Sequence, residues 1–350
     1  MTGTVLFAWR RTPPPFLIGG AEVSQRLLAE QFAAAGWRTA YLGSYQAPWD
    51  GRSQLAEMRT YLHAHESHCE EHNDPPAMYY NWREIACHAV AQEHLEDAFA
   101  QKLRTLRPEL VITSQEDSDK LADLARPYAP VAGWLHSVSA TGLQVLRARP
   151  RHALATSAFV LDQTGGYQGG VLFYPPFASP EMRHHNGAAI DDLLMVNPVP
   201  SKGSKLIRRL AELLPQRRLT LVEGWWNTSR QFSGLPNVNY LPRTYTMDEL
   251  YARHRLLLVP STVPDAFPRV IIEAGLLGVP TLGTHRGGIP EAVADGGRLL
   301  SSEDPDTWAR AILALDHSTL TDLGQAAHRR AVPLTRACLP ELAAAGIIPG

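Results

Sequence analysis

Short apolar runs alternate with segments of helical period along the whole chain, the pattern of parallel strands buried on both faces by helices. In the first half strands are expected near Val5–Trp9, Thr39–Gly43, Leu110–Thr113, Val131–His136, Ala153–Thr156 and Val171–Tyr174. In the second half they fall near Leu193–Asn197, Leu219–Val222, Asn237–Tyr240, Leu256–Val259, Thr281–Gly283 and Arg298–Leu300. Two sets of six imply an α/β protein with two Rossmann-like, doubly wound domains. The break is expected between Pro175 and Asp191, where proline, polar and small residues carry no period. The domains are therefore 1–178 and 191–333, followed by a terminal segment 334–350 in which Leu334–Ala345 is a helix candidate after Pro333. Open α/β sheets bind ligands outside the carboxyl ends of their strands, so two such domains facing each other predict a site in a cleft between them.

The stretch Pro260–Val293, PSTVPDAFPRVIIEAGLLGVPTLGTHRGGIPEAV, carries the most chemistry. Pro268 suits a first helical turn, and Gly278 with Pro280 ends the run, so a helix is expected over Arg269–Leu277. Glu273 then lies mid-helix among Ile271, Ile272, Ala274, Leu276 and Leu277. A helix apolar nearly all round is a buried one, and a carboxylate within it costs several kcal/mol, on the order of 1–3 for a lost hydrogen bond and more for a charge. Either a salt bridge or loop N–H satisfies it, or a ligand with hydroxyl groups does.

Asp265, seven residues and Glu273 resemble the E-x7-E motif of retaining glycosyltransferases of the GT-B fold, family 4, with Asp in place of the first Glu; the surrounding DAFPRVIIEAGLLGVPTLGTHRGGIPEAV is similar to that family almost position by position. The resemblance implies a GT-B fold, a terminal helix that returns to the first domain, and transfer from a nucleoside-diphosphate sugar, UDP-linked by analogy, without a metal or other cofactor. Glu273 would then meet the ribose hydroxyls, and Asp265 the donor sugar alongside the backbone of Phe267 and Arg269, with Pro268 and Val270 completing that donor loop.

Other segments extend the resemblance. Ile18-Gly19-Gly20-Ala21-Glu22 opens an amphipathic helix through Ala35; a tight turn explains two glycines there, and so does close approach of a phosphate to a helix N-terminus. GGAE is similar to the family loop whose backbone meets the donor diphosphate, which implicates Gly19 and above all Gly20. His136 ends a strand, where a histidine is structural or functional; its position resembles that of a histidine facing the donor sugar. Lys202-Gly203 matches a diphosphate-binding pair, while Asn197 stands where the family has Arg, so one contact is missing or comes from Arg269 or Arg243. The bland alternative for Lys202 is a solvated basic helix face with Lys205, Arg208 and Arg209. Gly224 falls in the position of a glycine-rich loop, although Trp225 and Trp226 follow it, and Tyr240–Arg243 with Met247–Tyr251 resembles the segment that cradles the nucleobase. His136, Lys202 and Asp265 are thereby the catalytic candidates. A sugar-nucleotide-binding protein without turnover and a sugar-nucleotide epimerase of the same fold are the alternatives.

Residues 45–100 are the least family-like. His63, His65, His68, Cys69 and His72 cluster there, with His68 and His72 spaced i, i+4; a solvated helix face is the default reading and a metal site the alternative. Ser114–Ser118 forms a polar loop after a strand, either touching an acceptor or capping the next helix. Arg147, Arg149 and Arg151 form a solvated surface, or meet an acidic acceptor or membrane.

Composition narrows the partners. The chain has 350 residues, 45% hydrophobic and 19% charged, with a net charge of −2, which accommodates two domains and points to neither nucleic acid nor an anionic membrane. Three scattered cysteines, Cys69, Cys87 and Cys338, make no disulfide or zinc spacing and suit a reducing cytoplasm. The N-terminal apolar run reads as a strand rather than a signal peptide, and no run approaches the ~18 apolar residues of a membrane span. Four lysines against many arginines, with abundant Ala and Pro, fit a bacterial source rich in G and C. The acceptor, a small molecule or cell-envelope precursor with a free hydroxyl, has no signature.

Overall fold

The computed structural model describes residues 3–16, 19–47, 50–180, 191–244 and 246–350, so Ile18 and most of the expected interdomain stretch, 181–190, lie outside the described residues. The chain divides into two compact units, Met1–Pro176 with Ala337–Gly350, and Phe177–Arg336.

The first unit is built on a nine-stranded sheet. Its strands are β1 (Thr4–Ala8), β2 (Arg38–Ser44), β3 (Cys69–Asn73), β4 (Pro76–Trp82), β5 (Ile85–Val90), β6 (Leu110–Thr113), β7 (Val131–Leu135), β8 (His152–Ala155) and β9 (Gly170–Leu172). They are ordered β3-β4-β5-β2-β1-β6-β7-β8-β9. The central strands pair in parallel, with Phe7 of β1 level with Tyr41 of β2 and Ile112 of β6. These side chains pack under Leu28, Ala29 and Phe32 of the Gly20–Ala34 helix, which places that helix's N-terminus by the carboxyl end of β1.

Nine strands, not six, is a correction, and the extra three come from the region read as a solvated helix face. The helix there is Leu55–Ala64; His72 lies on β3, and β4 pairs antiparallel with both β3 and β5, while β5 joins the sheet parallel to β2. The i, i+4 spacing of His68 and His72 thus has no helix beneath it. In β3, CEEHN, Cys69 is partly buried and Glu70–Asn73 are exposed, which gives no alternation to read. What holds the hairpins is cross-strand packing: the Tyr79 and His88 rings stack at 4.0 Å, and His72 meets Tyr79 edge-on at 5.1 Å.

The second unit has strands β10 (Asp191–Val196), β11 (Leu219–Val222), β12 (Val238–Leu241), β13 (His254–Val259), β14 (Thr281–Thr284) and β15 (Gly297–Leu300), all parallel, in the order β12-β11-β10-β13-β14-β15. This is the doubly wound Rossmann order, and it reverses direction between β10 and β13, where such sheets bind ligands. Leu193, Met195, Leu219, Leu221, Leu256, Leu258 and Leu282 form one core with Ile207 and Leu210 of the Ser204–Leu213 helix and Trp308 and Ile312 of the Pro305–Leu313 helix.

The terminal helix is shorter than the expected Leu334–Ala345. Val332–Thr335 is a 3₁₀ turn and the α-helix covers Leu339–Ala344, with Pro340 in its first turn where a missing N–H costs least. Cys338, Leu342, Ile347 and Ile348 are buried in the core of the first unit, and the Cys338 N–H donates to Gln31 Oε1 at 2.7 Å. Among the described residues no helix is long and apolar enough to cross a membrane.

Candidate functional site

Three loops converge at the carboxyl ends of β10, β11 and β13. The chain leaves β10 at Asn197, whose φ of +61° is in the left-handed region that asparagine tolerates better than most residues. Its N–H donates to Val222 O at 2.8 Å, and its Oδ1 accepts from the Trp225 N–H at 3.2 Å. A Cβ on Gly224 would lie 2.2 Å from that same Oδ1, so only glycine lets the two loops meet. Asn197 is a clamp between the β10 and β11 loops, which is what the structure shows at the place where the resemblance expects an arginine. Arg243 reinforces the second loop, donating from Nε to Gly224 O at 3.0 Å and from Nη2 to Trp225 O at 3.3 Å.

Lys202 follows, just before Gly203, whose φ is +91° and whose absent Cβ would otherwise sit 2.2 Å from Pro260 O. That close approach brings the β10 loop against the end of β13. Lys202 Nζ forms an ion pair with Asp265 Oδ1 and lies 5.8 Å from the centre of the Trp225 ring. Asp265 Oδ2 accepts from Ser261 Oγ at 2.5 Å. The Asp265 carbonyl accepts from the Gly288 N–H at 2.6 Å, so the turn after β14 fixes the backbone of this aspartate. The two candidates that are 63 positions apart in the chain are therefore in contact.

Glu273 is placed differently from its expectation. On the Arg269–Leu276 helix Ile271, Ile272, Ala274 and Gly275 are buried, but Val270, Glu273 and Leu277, spaced i, i+3 and i+7, make a half-exposed stripe. The Glu273 side chain is 25% exposed, not sunk in an apolar helix. Arg269 Nε donates to Glu273 Oε1 at 3.1 Å, and Tyr251 OH donates to Glu273 Oε2 at 3.1 Å. The salt-bridge reading of the mid-helix acid thus describes its contacts in this structure. Burial, then the Glu273 charge, pushes the Tyr251 hydroxyl well above the usual tyrosine range, so it stays protonated and donates. Pro268 caps the helix, Phe267 is buried, and the Arg269 guanidinium lies 4.2 Å from the centre of the Phe177 ring.

The remaining candidates belong to the first unit. Gly19 is the N-cap and Gly20 the first residue of the Gly20–Ala34 helix. His136, just past β7, packs its ring 4.6 Å from that of Trp134 and 6.4 Å from that of Trp9. Close to the end of β1, Arg11 binds both carboxylate oxygens of Glu116, at 3.1 and 2.7 Å, and reaches Glu22 at 3.5 Å. Burial raises the Glu22 carboxyl above the usual range, with Arg11 opposing it. Arg10 pairs with Asp117. Ser114 Oγ donates to Trp134 O at 2.6 Å, so the polar loop after β6 is tied to the neighbouring strand and to the arginines.

Neither this ion network nor the Tyr251 and Ser261 contacts was singled out from sequence. Polar residues just past a strand end were the available signal; Ser261 stands only four positions from Asp265, whereas the partners 105 and 22 positions away leave no local pattern. Among the described residues no group of three or more His, Cys, Asp and Glu could hold a metal ion.

Anabaena HepE, solved in complex with UDP-glucose, superimposes with a TM-score of 0.74 over 98% of this chain and 100% of its own, at 18% identity. The fold is GT-B. Sucrose-phosphate synthase from Thermosynechococcus elongatus has the same GT-B architecture, with a TM-score of 0.73 over 97% of each chain at 17% identity. Residues 199–317 match the family described as Glycosyl transferases group 1. That span contains Lys202, Gly224, Arg243, Asp265, Phe267, Pro268, Arg269, Val270 and Glu273, and excludes Gly19, Gly20, His136 and Asn197. This GT-B chain is also 24% identical over 220 residues to a D-inositol 3-phosphate glycosyltransferase of Mycolicibacterium vanbaalenii, covering 61% of this chain and 47% of that one. It is 33% identical over 150 residues to the enzyme of that name from Corynebacterium efficiens, covering 36% and 35%. The chain spans less than half the length of these curated relatives.

Proposed function

We propose that this GT-B protein is a retaining glycosyltransferase that moves a sugar from a UDP-sugar to a hydroxyl of a small-molecule or cell-envelope acceptor in the cytoplasm, without a metal. The observation that carries the reading is the convergence of Lys202 and Asp265 at the strand ends beside the Glu273 stripe. The group 1 match over these residues and the UDP-glucose complex of Anabaena HepE support it.

In this reading Glu273 accepts from the ribose hydroxyls. Ionised, it has about four acceptor directions, and Arg269 and Tyr251 occupy one on each oxygen. Lys202 turns its charge from Asp265 to the diphosphate, and Asp265 takes the donor-sugar hydroxyls with the Phe267 and Arg269 backbone. Gly19 and Gly20 offer helix N-terminal N–H groups to phosphate, and His136 meets the sugar. As the bond from the anomeric carbon to the UDP oxygen breaks, charge collects on the leaving phosphate, where a fixed cation gives most help. That phosphate takes the acceptor hydroxyl's proton while the acceptor oxygen bonds the anomeric carbon on the same face.

Lys202→Ala and Glu273→Ala test the assignment, with transfer and donor hydrolysis as readouts. Loss of Lys202 is expected to lower kcat by about 10²-fold, the scale of removing one fixed charge-stabilising group. A kcat/KM for donor near wild type in both variants would remove these roles, and an inverted product anomer, read by NMR, would remove retention. Asn197 favours one second reading, because its amide oxygen is engaged by Trp225 and supplies no cation. A protein that binds sugar nucleotides without turnover would show nucleotide binding and no consumption across a donor panel.

A further inference from the structure

We infer that Tyr251 is a positioning residue for the nucleotide: its buried hydroxyl fixes the Glu273 carboxylate so that both oxygens keep an open acceptor direction for a ribose diol. This rests on the nucleotide reading above and names the sugar it selects, ribose rather than 2′-deoxyribose.

Arg269 alone does not fix the acid. It lies four residues before Glu273 on the same helix, and a single Nε contact to a side chain 25% exposed leaves the carboxylate plane free to turn. Tyr251 comes from a separate element, the Asp248–Ala252 helix, and is 1% exposed, so the ring carrying the hydroxyl is locked by packing. Its bond to Oε2 complements that of Arg269 to Oε1. Two donors from two elements, one on each oxygen, define the plane. Each oxygen then retains an acceptor direction on the half-exposed stripe, and two adjacent hydroxyls on a ribose ring present two donors to one carboxylate. Removal of one of those hydroxyls leaves half of the arrangement unmatched.

The test is isothermal titration of UDP and 2′-deoxy-UDP against wild type, Tyr251→Phe and Glu273→Gln. Wild type is expected to prefer UDP. Tyr251→Phe, which keeps the buried ring, should weaken UDP by about tenfold, the scale of one hydrogen bond to a charged group, and 2′-deoxy-UDP much less, so that the preference collapses. With a donor sugar the same variant should raise KM while kcat stays within about twofold, since the acid binds the ribose in ground and transition states alike. Glu273→Gln should show a similarly small preference. Equal weakening of both nucleotides by Tyr251→Phe, or a fall in kcat with KM unchanged, would overturn the positioning role while leaving the nucleotide site standing. Failure of the wild type to bind UDP would overturn the nucleotide reading and this role with it. A thermal melt of each variant separates lost binding from lost fold.

Discussion

At the scale of single residues, the site depends on atoms that are missing as much as on those present. Gly203 and Gly224 let the β10 loop approach Pro260 and the Asn197 amide lie against the β11 loop. Gly203→Ala has to place a Cβ at φ +91° and 2.2 Å from a carbonyl oxygen. It is expected to destabilise the second unit by about 2–4 kcal/mol, combining left-handed strain with backbone displacement, and urea unfolding measures it. The sequence marked Asp265 and Glu273 as candidates through their seven-residue spacing, and Lys202 through its place before Gly203 at the start of a helix. It did not make their partners legible. Tyr251 reaches Glu273 across 22 positions, and nothing local marks it as the acid's second donor.

At the scale of elements, the strand pattern was legible for most strands that are parallel and buried, β5 excepted. Leu110–Thr113 and Leu219–Val222 are strands with the expected bounds because both are short, fully buried runs of aliphatic residues with one Thr. The β3–β5 hairpins were not, since an edge strand such as CEEHN has no buried face to write a pattern. Their interior carries a prediction. His88 is 4% exposed, and neither ring nitrogen finds a hydrogen-bond partner among the described residues. Burial, reinforced by Lys102 and His72, pushes its imidazole down to about 3. The unfolded chain takes up this proton near pH 6.5 and the folded chain only near 3, so between these values the unfolded state binds more protons. Stability from neutral His88 is fully present above pH about 6.5 and falls at about 1.4 kcal/mol per pH unit below it. Wild type should thus lose about 2 kcal/mol between pH 7 and pH 5 that His88→Phe does not lose, read from denaturation midpoints at the two pH values.

At the scale of the whole molecule, the two units differ in what they contribute to the proposed reaction, and ligand binding should report that difference. UDP at 100 times its Kd stabilises whatever binds it by about 2.7 kcal/mol. Hydrogen exchange with UDP is expected to slow at residues 197–203, 223–226 and 261–273, and to leave β3, β4 and β5 unchanged. Uniform exchange across 197–273 with and without nucleotide would refute a donor site in the second unit. The chain's own pattern was enough for a two-domain α/β protein and for the helix that carries Glu273, because buried parallel strands and helix caps write local signals. Only the tertiary structure decided that Glu273 is half-open rather than sunk, that Asn197 clamps a loop, and that the first sheet is extended by β5, parallel to β2, and by the antiparallel pairings of β4 with β5 and β3. Asn197 meets Trp225 across 28 positions, Tyr251 meets Glu273 across 22 and β2 pairs with β5 beyond an intervening helix and hairpin, and contact between distant positions has no period in the sequence to reveal it.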